Sequence, residues 1–117
     1  EPPPLPAWIP QAELDHYVAE FTRTGFTGGL NWYRNFDRNW ERTAPLASRR
    51  IEQPALFLIG DKDPVRLLEA NSLSRMPSVV PRVEQHVLED CGHWTQVERA
   101  AEVNAHLLDF LGRHYPA

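Results

Sequence analysis

The stretch Pro54-Ala55-Leu56-Phe57-Leu58-Ile59-Gly60-Asp61-Lys62-Asp63 decides the fold class. Its apolar residues run without interruption between a proline and a glycine, a length that suits a buried parallel strand better than a helix. The predicted strand stops at Gly60 and delivers Asp61 and Asp63 into the loop beyond its end. Toward the C-terminus, Arg66 to Arg75 carries Leu67, Leu68 and Leu73 and predicts a helix stopped by Pro77. Val83 to Leu88 alternates apolar and polar residues before a turn at Cys91-Gly92, the pattern of a second strand. A last helix is expected from about Glu98 to His114, with Val103, Leu107, Phe110 and Leu111 on one face. This β-α-β-α order belongs to the α/β class. Two parallel strands cannot bury themselves, so they are expected to form the edge of a larger sheet.

Toward the N-terminus the character changes near residue 47. Leu14, Tyr17, Val18 and Phe21 fall at helical spacing between Glu13 and Arg23, and Gly25 supplies a stop. After a turn expected around Gly28 and Gly29, a second helix rich in aromatics is predicted from Leu30 to Thr43, ending at Pro45. Residues 1 to 12 hold five of the eleven prolines, among them Pro2, Pro3, Pro4 and Pro6, and are expected to be extended. No internal repeat or low-complexity segment is present.

With 117 residues, 42% hydrophobic and 24% charged, the composition is that of one small globular domain at most. Sixteen acidic residues outnumber twelve basic ones, giving a net charge of -4 without any basic block, which argues against nucleic acid or an anionic membrane surface as partner. No apolar run is long enough for a membrane span and no signal-peptide pattern occurs. The single cysteine, Cys91, excludes an internal disulfide and fits a reducing, cytoplasmic setting. The chain starts at Glu1 and its one methionine is Met76, so an upstream segment is expected to be missing.

Asp63 and His93 follow the ends of the two predicted strands, where functional groups collect in open parallel sheets. A carboxylate on one imidazole nitrogen fixes the tautomer and stabilises the cation formed when the other nitrogen takes a proton. Acid then base is also the chain order of these two groups in α/β-hydrolases. The pattern leaves Asp61 and Asp63 as competing acids, and both residues also suit plain turn formation. His16, His86, His106 and His114 read as structural or solvated, and the histidines make no zinc pattern. Aromatics spaced like Trp32, Tyr33, Phe36 and Trp40 ordinarily pack a core. Cys91 reads as a small buried residue rather than a nucleophile. There is no Gly-x-Ser-x-Gly elbow, phosphate-binding glycine loop or dinucleotide fingerprint.

The blocks Gly25-Phe26-Thr27-Gly28-Gly29-Leu30-Asn31-Trp32-Tyr33-Arg34-Asn35, Pro54 to Asp63, and Glu89-Asp90-Cys91-Gly92-His93-Trp94-Thr95-Gln96 together closely resemble the C-terminal part of soluble epoxide hydrolases in the α/β-hydrolase superfamily. The resemblance spans nearly the whole chain. It implies the C-terminal portion of an α/β-hydrolase fold, with 1-46 part of a helical lid and 47-117 part of the core. In that family an aspartate nucleophile opens the epoxide to an alkyl-enzyme ester, two lid tyrosines hold and protonate the oxygen, and a histidine-acid pair activates water. Carried over, Tyr33 matches one lid tyrosine, Asp63 the acid and His93 the base. Trp32, Phe36 and Trp94 become candidates to line an apolar substrate cavity. Gly29 stands where relatives often have proline, and Pro64 follows the acid where an apolar residue is commoner.

The nucleophile, the oxyanion-hole donors and the other tyrosine belong to the family's N-terminal half, which no segment here matches. The chain alone is therefore expected to be inactive. The resemblance implies no cofactor and no metal; its implied partners are a small apolar epoxide, water and the missing N-terminal half, with a homodimer as a candidate assembly. A haloalkane dehalogenase is the enzymatic rival, disfavoured by Tyr33 in its Trp-Tyr-Arg-Asn setting. A non-catalytic half that serves as a folding or dimer-forming partner is the other.

Overall fold

A computed structural model describes residues 4–116. The chain forms two compact units, Glu1–Ser48 and Arg49–Ala117. Of the prolines expected to be extended, Pro2 and Pro3 lie outside the described residues. Pro4 and Pro6 lie in irregular backbone, and a turn follows in which Ile9 N–H donates to the Pro6 carbonyl at 3.1 Å.

In the first unit, α1 (Gln11–Thr24) ends at Gly25, whose φ of 68° and ψ of -176° suit glycine and almost nothing else. Phe21 stacks on Phe26 across this stop, with ring centroids 4.7 Å apart. The Gly25 stop does the work expected of Gly28 and Gly29. Those two glycines instead lie in the first turn of α2 (Thr27–Arg34), where Leu30 N–H already donates to the Phe26 carbonyl at 2.9 Å. The predicted single aromatic helix is also split, because α3 (Phe36–Thr43) starts anew after Asn35. The Asn35 side-chain amide donates to the Asn31 carbonyl at 2.7 Å, so side chain replaces backbone at one rung of the ladder. Pro45 lies within a short 3-10 turn, Ala44–Leu46, that ends the unit's helices.

In the second unit, β1 (Ala55–Gly60) and β2 (Val83–Leu88) pair in parallel from Ala55 opposite Val83 to Gly60 opposite Leu88. They are connected through α4 (Pro64–Leu68) and α5 (Ala70–Val79), which replace the one predicted helix and are separated at Glu69. Leu67 and Leu68 of α4 are exposed. Pro77 does not stop α5 but lies in its last turn; it forfeits only its own N–H, and the helix closes with Val80 N–H donating to the Met76 carbonyl at 2.8 Å. The predicted last helix is α7 (Ala100–His114), and a short α6 (Thr95–Glu98) not expected from the sequence precedes it, parted from it at Arg99. The core beside β1 consists of Leu88, Cys91 and Val103 with Leu58 against them. Val103 and Phe110 of α7 are buried, whereas Leu107 and Leu111 of the predicted apolar face are exposed. Burying a leucine such as Leu88 stabilises a fold by about 1.5–3 kcal/mol. The core is small and its sheet has two strands, which fits the edge of a larger α/β sheet.

One ion-pair cluster ties β2 to the end of α7. The Arg113 guanidinium meets both Glu84 oxygens, at 2.8 and 2.6 Å, and His114 Nε2 lies 3.0 Å from the same carboxylate. Hydrogen bonds from Arg113 and then His114 hold the Glu84 carboxyl down at about 2, from an ordinary 4.5. A carboxyl with a depressed folded-state pKa stabilises the fold above its unfolded value and loses that contribution as pH falls through the folded value. Glu84→Gln is therefore expected to flatten the fall of the unfolding midpoint between about pH 4.5 and pH 2, read by denaturant melts across that window. An unchanged slope would show that the cluster does not couple to folding. Partial exposure of both partners keeps the effect modest.

Candidate active site

The site is built where the two strands end. Beyond Gly60 and Leu88 the loops continue the pairing, with Asp61 N–H donating to the Leu88 carbonyl at 3.0 Å and Lys62 N–H to the Cys91 carbonyl at 2.9 Å. The approach is so close that a Cβ on Gly60 would sit 2.2 Å from the Cys91 carbonyl oxygen and 2.3 Å from that of Gly92. Glycine is thus required at position 60 by space rather than by dihedral angle.

The two carboxylates that compete in the sequence take different tasks. Asp61 Oδ1 accepts from Cys91 N–H at 3.0 Å, and that bond chiefly holds the Asp61 carboxyl below the usual range. Asp63 caps α4: Pro64 at the first helical position and an extended Asp63 backbone, φ -67° and ψ 120°, let Oδ1 accept from Val65 N–H at 2.9 Å. Its other oxygen, Oδ2, lies 3.0 Å from His93 Nδ1. The Asp63 side chain is 7% exposed and that of His93 53%, so a buried acid orients an accessible base. In the neutral imidazole, a carboxylate facing Nδ1 selects the tautomer with hydrogen on Nδ1 and the lone pair on Nε2. Among the described residues nothing hydrogen-bonds Nε2.

Around this pair the turn after β2 is braced by groups not singled out in the sequence. Asp90 adopts a left-handed φ of 51°, and its carboxylate pairs with Lys62 from the β1 loop and, at 3.4 Å, with Arg99. The Lys62 ammonium lowers the Asp90 carboxyl, and Asp90 in turn raises Lys62. Arg99 also donates to the carbonyls of Glu89, at 3.2 Å, and Asp90, at 2.8 Å. Glu98 accepts from Gly92 N–H at 2.7 Å and from Trp94 N–H at 3.0 Å. An acid in the first turn of a helix without a side-chain cap is the one sequence signal that could have pointed to Glu98. Cys91 is fully buried and burial pushes its thiol up, which suits packing and not nucleophilic attack.

Trp94 stands edge-on to His93, with ring centroids 5.1 Å apart, and is half exposed. Tyr33, Trp32 and Phe36 belong to the first unit. Tyr33 packs against Phe36 at 5.6 Å between centroids, yet Tyr33, Trp32, Phe36 and Trp40 are all largely exposed, so the core reading of these aromatics is corrected. Within this unit they lack the neighbours that would bury them. The remaining histidines are elsewhere: His86 lies against His106 at 4.2 Å, His114 at Glu84, and His16 near Tyr17. Among the described residues no group of three or more acids, histidines or cysteines could hold a metal, and no helix is long and apolar enough to cross a membrane.

A loop carboxylate hydrogen-bonded to a half-exposed imidazole, each at a strand end, can take a proton from water. Such a pair serves chemistry in which water attacks an ester or a similar electrophile.

No family model matches the chain. Epoxide hydrolase A of Mycobacterium tuberculosis is 59% identical over 112 residues, which cover 95% of this chain and 34% of that protein. The bifunctional epoxide hydrolase 2 of Rattus norvegicus is 39% identical over 111 residues, 95% of this chain and 20% of that protein. Among solved structures, the crystal structure of epoxide hydrolase A from Mycobacterium thermoresistibile matches with a TM-score of 0.88 at 56% identity, over 95% of this chain and 34% of that one. Potato (Solanum tuberosum) epoxide hydrolase I matches with a TM-score of 0.85 at 34% identity, over 95% of this chain and 38% of that one. The chain thus spans from a fifth to under two fifths of the length of these relatives.

Proposed function

We propose that this chain, which is homologous to the C-terminal part of epoxide hydrolases of the α/β-hydrolase fold, supplies the water-activating half of an enzyme that converts an apolar epoxide to a vicinal diol. The observation that carries the reading is the 3.0 Å contact between Asp63 Oδ2 and His93 Nδ1 in the loops beyond two parallel strands. Residues 1-46 serve as part of the helical lid and residues 47-117 as the last portion of the core. The N-terminal part of the fold is the partner that contributes the aspartate nucleophile. No cofactor takes part, and a cytoplasmic setting suits the free, buried Cys91.

The reaction runs in two stages. A carboxylate oxygen of the nucleophile attacks an epoxide carbon, the ring C–O bond breaks, and the Tyr33 phenol gives its proton to the departing oxygen. An alkyl-enzyme ester results. His93 Nε2 then takes a proton from water, whose oxygen attacks the ester carbonyl. The acyl C–O bond breaks, the leaving diol oxygen is protonated from the imidazolium, and the carboxylic acid so regenerated gives its proton to solvent while the tyrosinate regains one from it. Asp63 holds the imidazole in the tautomer this requires and stabilises its cation. Trp32, Phe36 and Trp94 offer apolar surface to the substrate.

The test is a chimera in which this chain replaces the matching C-terminal segment of the Mycobacterium tuberculosis epoxide hydrolase A. It is expected to form diol from an aryl-substituted epoxide and to release no halide from a haloalkane. A folded chimera that forms no diol, or one that releases halide instead, overturns the reading. The isolated chain is expected to show neither activity.

A further inference from the structure

Among the described residues, Glu98 is the one side chain that accepts from the backbone N–H groups of both neighbours of His93. Its Oε2 accepts from Gly92 N–H at 2.7 Å and its Oε1 from Trp94 N–H at 3.0 Å. The tie to Trp94 is closed in the other direction by Glu98 N–H, which donates to the Trp94 carbonyl at 2.8 Å. Position 92 is kept free for this carboxylate, since a Cβ there would lie 2.9 and 3.1 Å from its two oxygens. Two N–H donors that converge from either side of one residue need two acceptors at a fixed separation, and an ionised carboxylate is the side chain that offers them. Asp63 fixes the imidazole through Nδ1, but it cannot fix where the His93 backbone sits. That task falls to Glu98.

We infer that Glu98 is a positioning residue for the water-activation step, acting through the His93 backbone and touching neither substrate nor reacting atoms. The inference rests on the functional reading above and makes it more specific. His93 enters only when the ester is hydrolysed, so loosening its backbone slows that stage and leaves ring opening alone. A displacement of the base by about 1 Å costs on the order of a hundredfold in rate.

The experiment uses the same chimera with Glu98→Gln, Glu98→Ala and Glu98→Asp, mixed with excess epoxide and followed by rapid quench and intact mass. In Glu98→Gln the amide can accept only one of the two N–H groups and sets an NH₂ against the other. Glu98→Gln and Glu98→Ala are expected to form the ester at the parent rate, to hydrolyse it about a hundredfold more slowly, and to accumulate the alkylated protein. Glu98→Asp keeps two acceptors and is expected to recover part of the hydrolysis rate. Ester hydrolysis at the parent rate in Glu98→Gln and Glu98→Ala overturns the inference. So does an equal fall in both stages, which is what a loss of folded protein produces. A parent chimera that never forms the ester overturns the functional reading and this one with it, whereas the former two results leave that reading standing.

Discussion

Replacing His93 by glutamine in the chimera should lower steady-state turnover by about a thousandfold while the ester still forms. The imidazole has its Nδ1 committed to Asp63 at 3.0 Å and its Nε2 unpartnered among the described residues, so its one evident task is to take a proton from water. Glutamine fills a similar volume and offers an amide nitrogen or oxygen, neither basic enough for that task. The alkylated protein should therefore persist, with a mass increased by that of the whole epoxide. Tyr33→Phe should do the reverse and slow ester formation, because the phenol acts on the ring oxygen. Loss of ester formation in His93→Gln, or unimpaired diol release, would remove His93 from the second stage. Asp63→Asn should resemble His93→Gln. If its amide oxygen keeps the bond to Val65 N–H, its NH₂ faces Nδ1 and drives hydrogen onto Nε2.

Gly60→Ala should destabilise the second unit by about 2–4 kcal/mol and disturb the site as it does so. The new methyl would overlap the carbonyl oxygens of Cys91 and Gly92 at 2.2 and 2.3 Å, and both belong to backbone, which cannot swing aside as a side chain would. The β1 end and the β2 loop must then separate, which costs the bonds from Asp61 N–H to Leu88 and from Lys62 N–H to Cys91. Gly29→Ala is the control, since nothing lies within 4 Å of the place its methyl would take on the helix, and it should be neutral or slightly stabilising. Denaturant melts of both variants in the chimera decide the matter; equal midpoints would mean that the loops have room to part freely.

The strands and the juxtaposition of Asp63 with His93 beyond their ends are the features most legible in the sequence. The apolar run from Ala55 to Ile59, flanked by Pro54 and Gly60, has local causes, and residues just past strand ends are placed by the strands themselves. The identity of the acid is open on pattern alone. The resemblance favours Asp63, and the hydrogen bonds separate the two, since Asp61 is taken by Cys91 N–H and Asp63 faces His93. The helix interruptions at Asn35 and Glu69 are not legible, because periodicity continues across each, and the short α6 ahead of the last helix is not legible either. At Asn35 the cause is a side chain bonding to backbone four residues back, and at Arg99, which parts α6 from α7, a guanidinium bonds to carbonyls ten and nine residues away in sequence. Neither leaves a hydrophobic signature. Gly28 and Gly29 mislead because the sequence marks flexible positions without saying which one the chain uses to turn.

Arg99 and Glu98 are neighbours of opposite charge, and between them they hold the turn that carries His93 by its two kinds of backbone group. The cation takes the carbonyls of Glu89 and Asp90 ahead of the turn, and the anion takes the amides of Gly92 and Trp94 around the imidazole. A surface loop ordinarily fluctuates on its own timescale. Here any excursion of the segment from Glu89 to Trp94 strains contacts to the junction of α6 and α7, so the segment is expected to have no separate motion of that kind. Its amides should exchange with solvent hydrogen at the pace of that junction, so the base borrows its stillness from a bend between two helices.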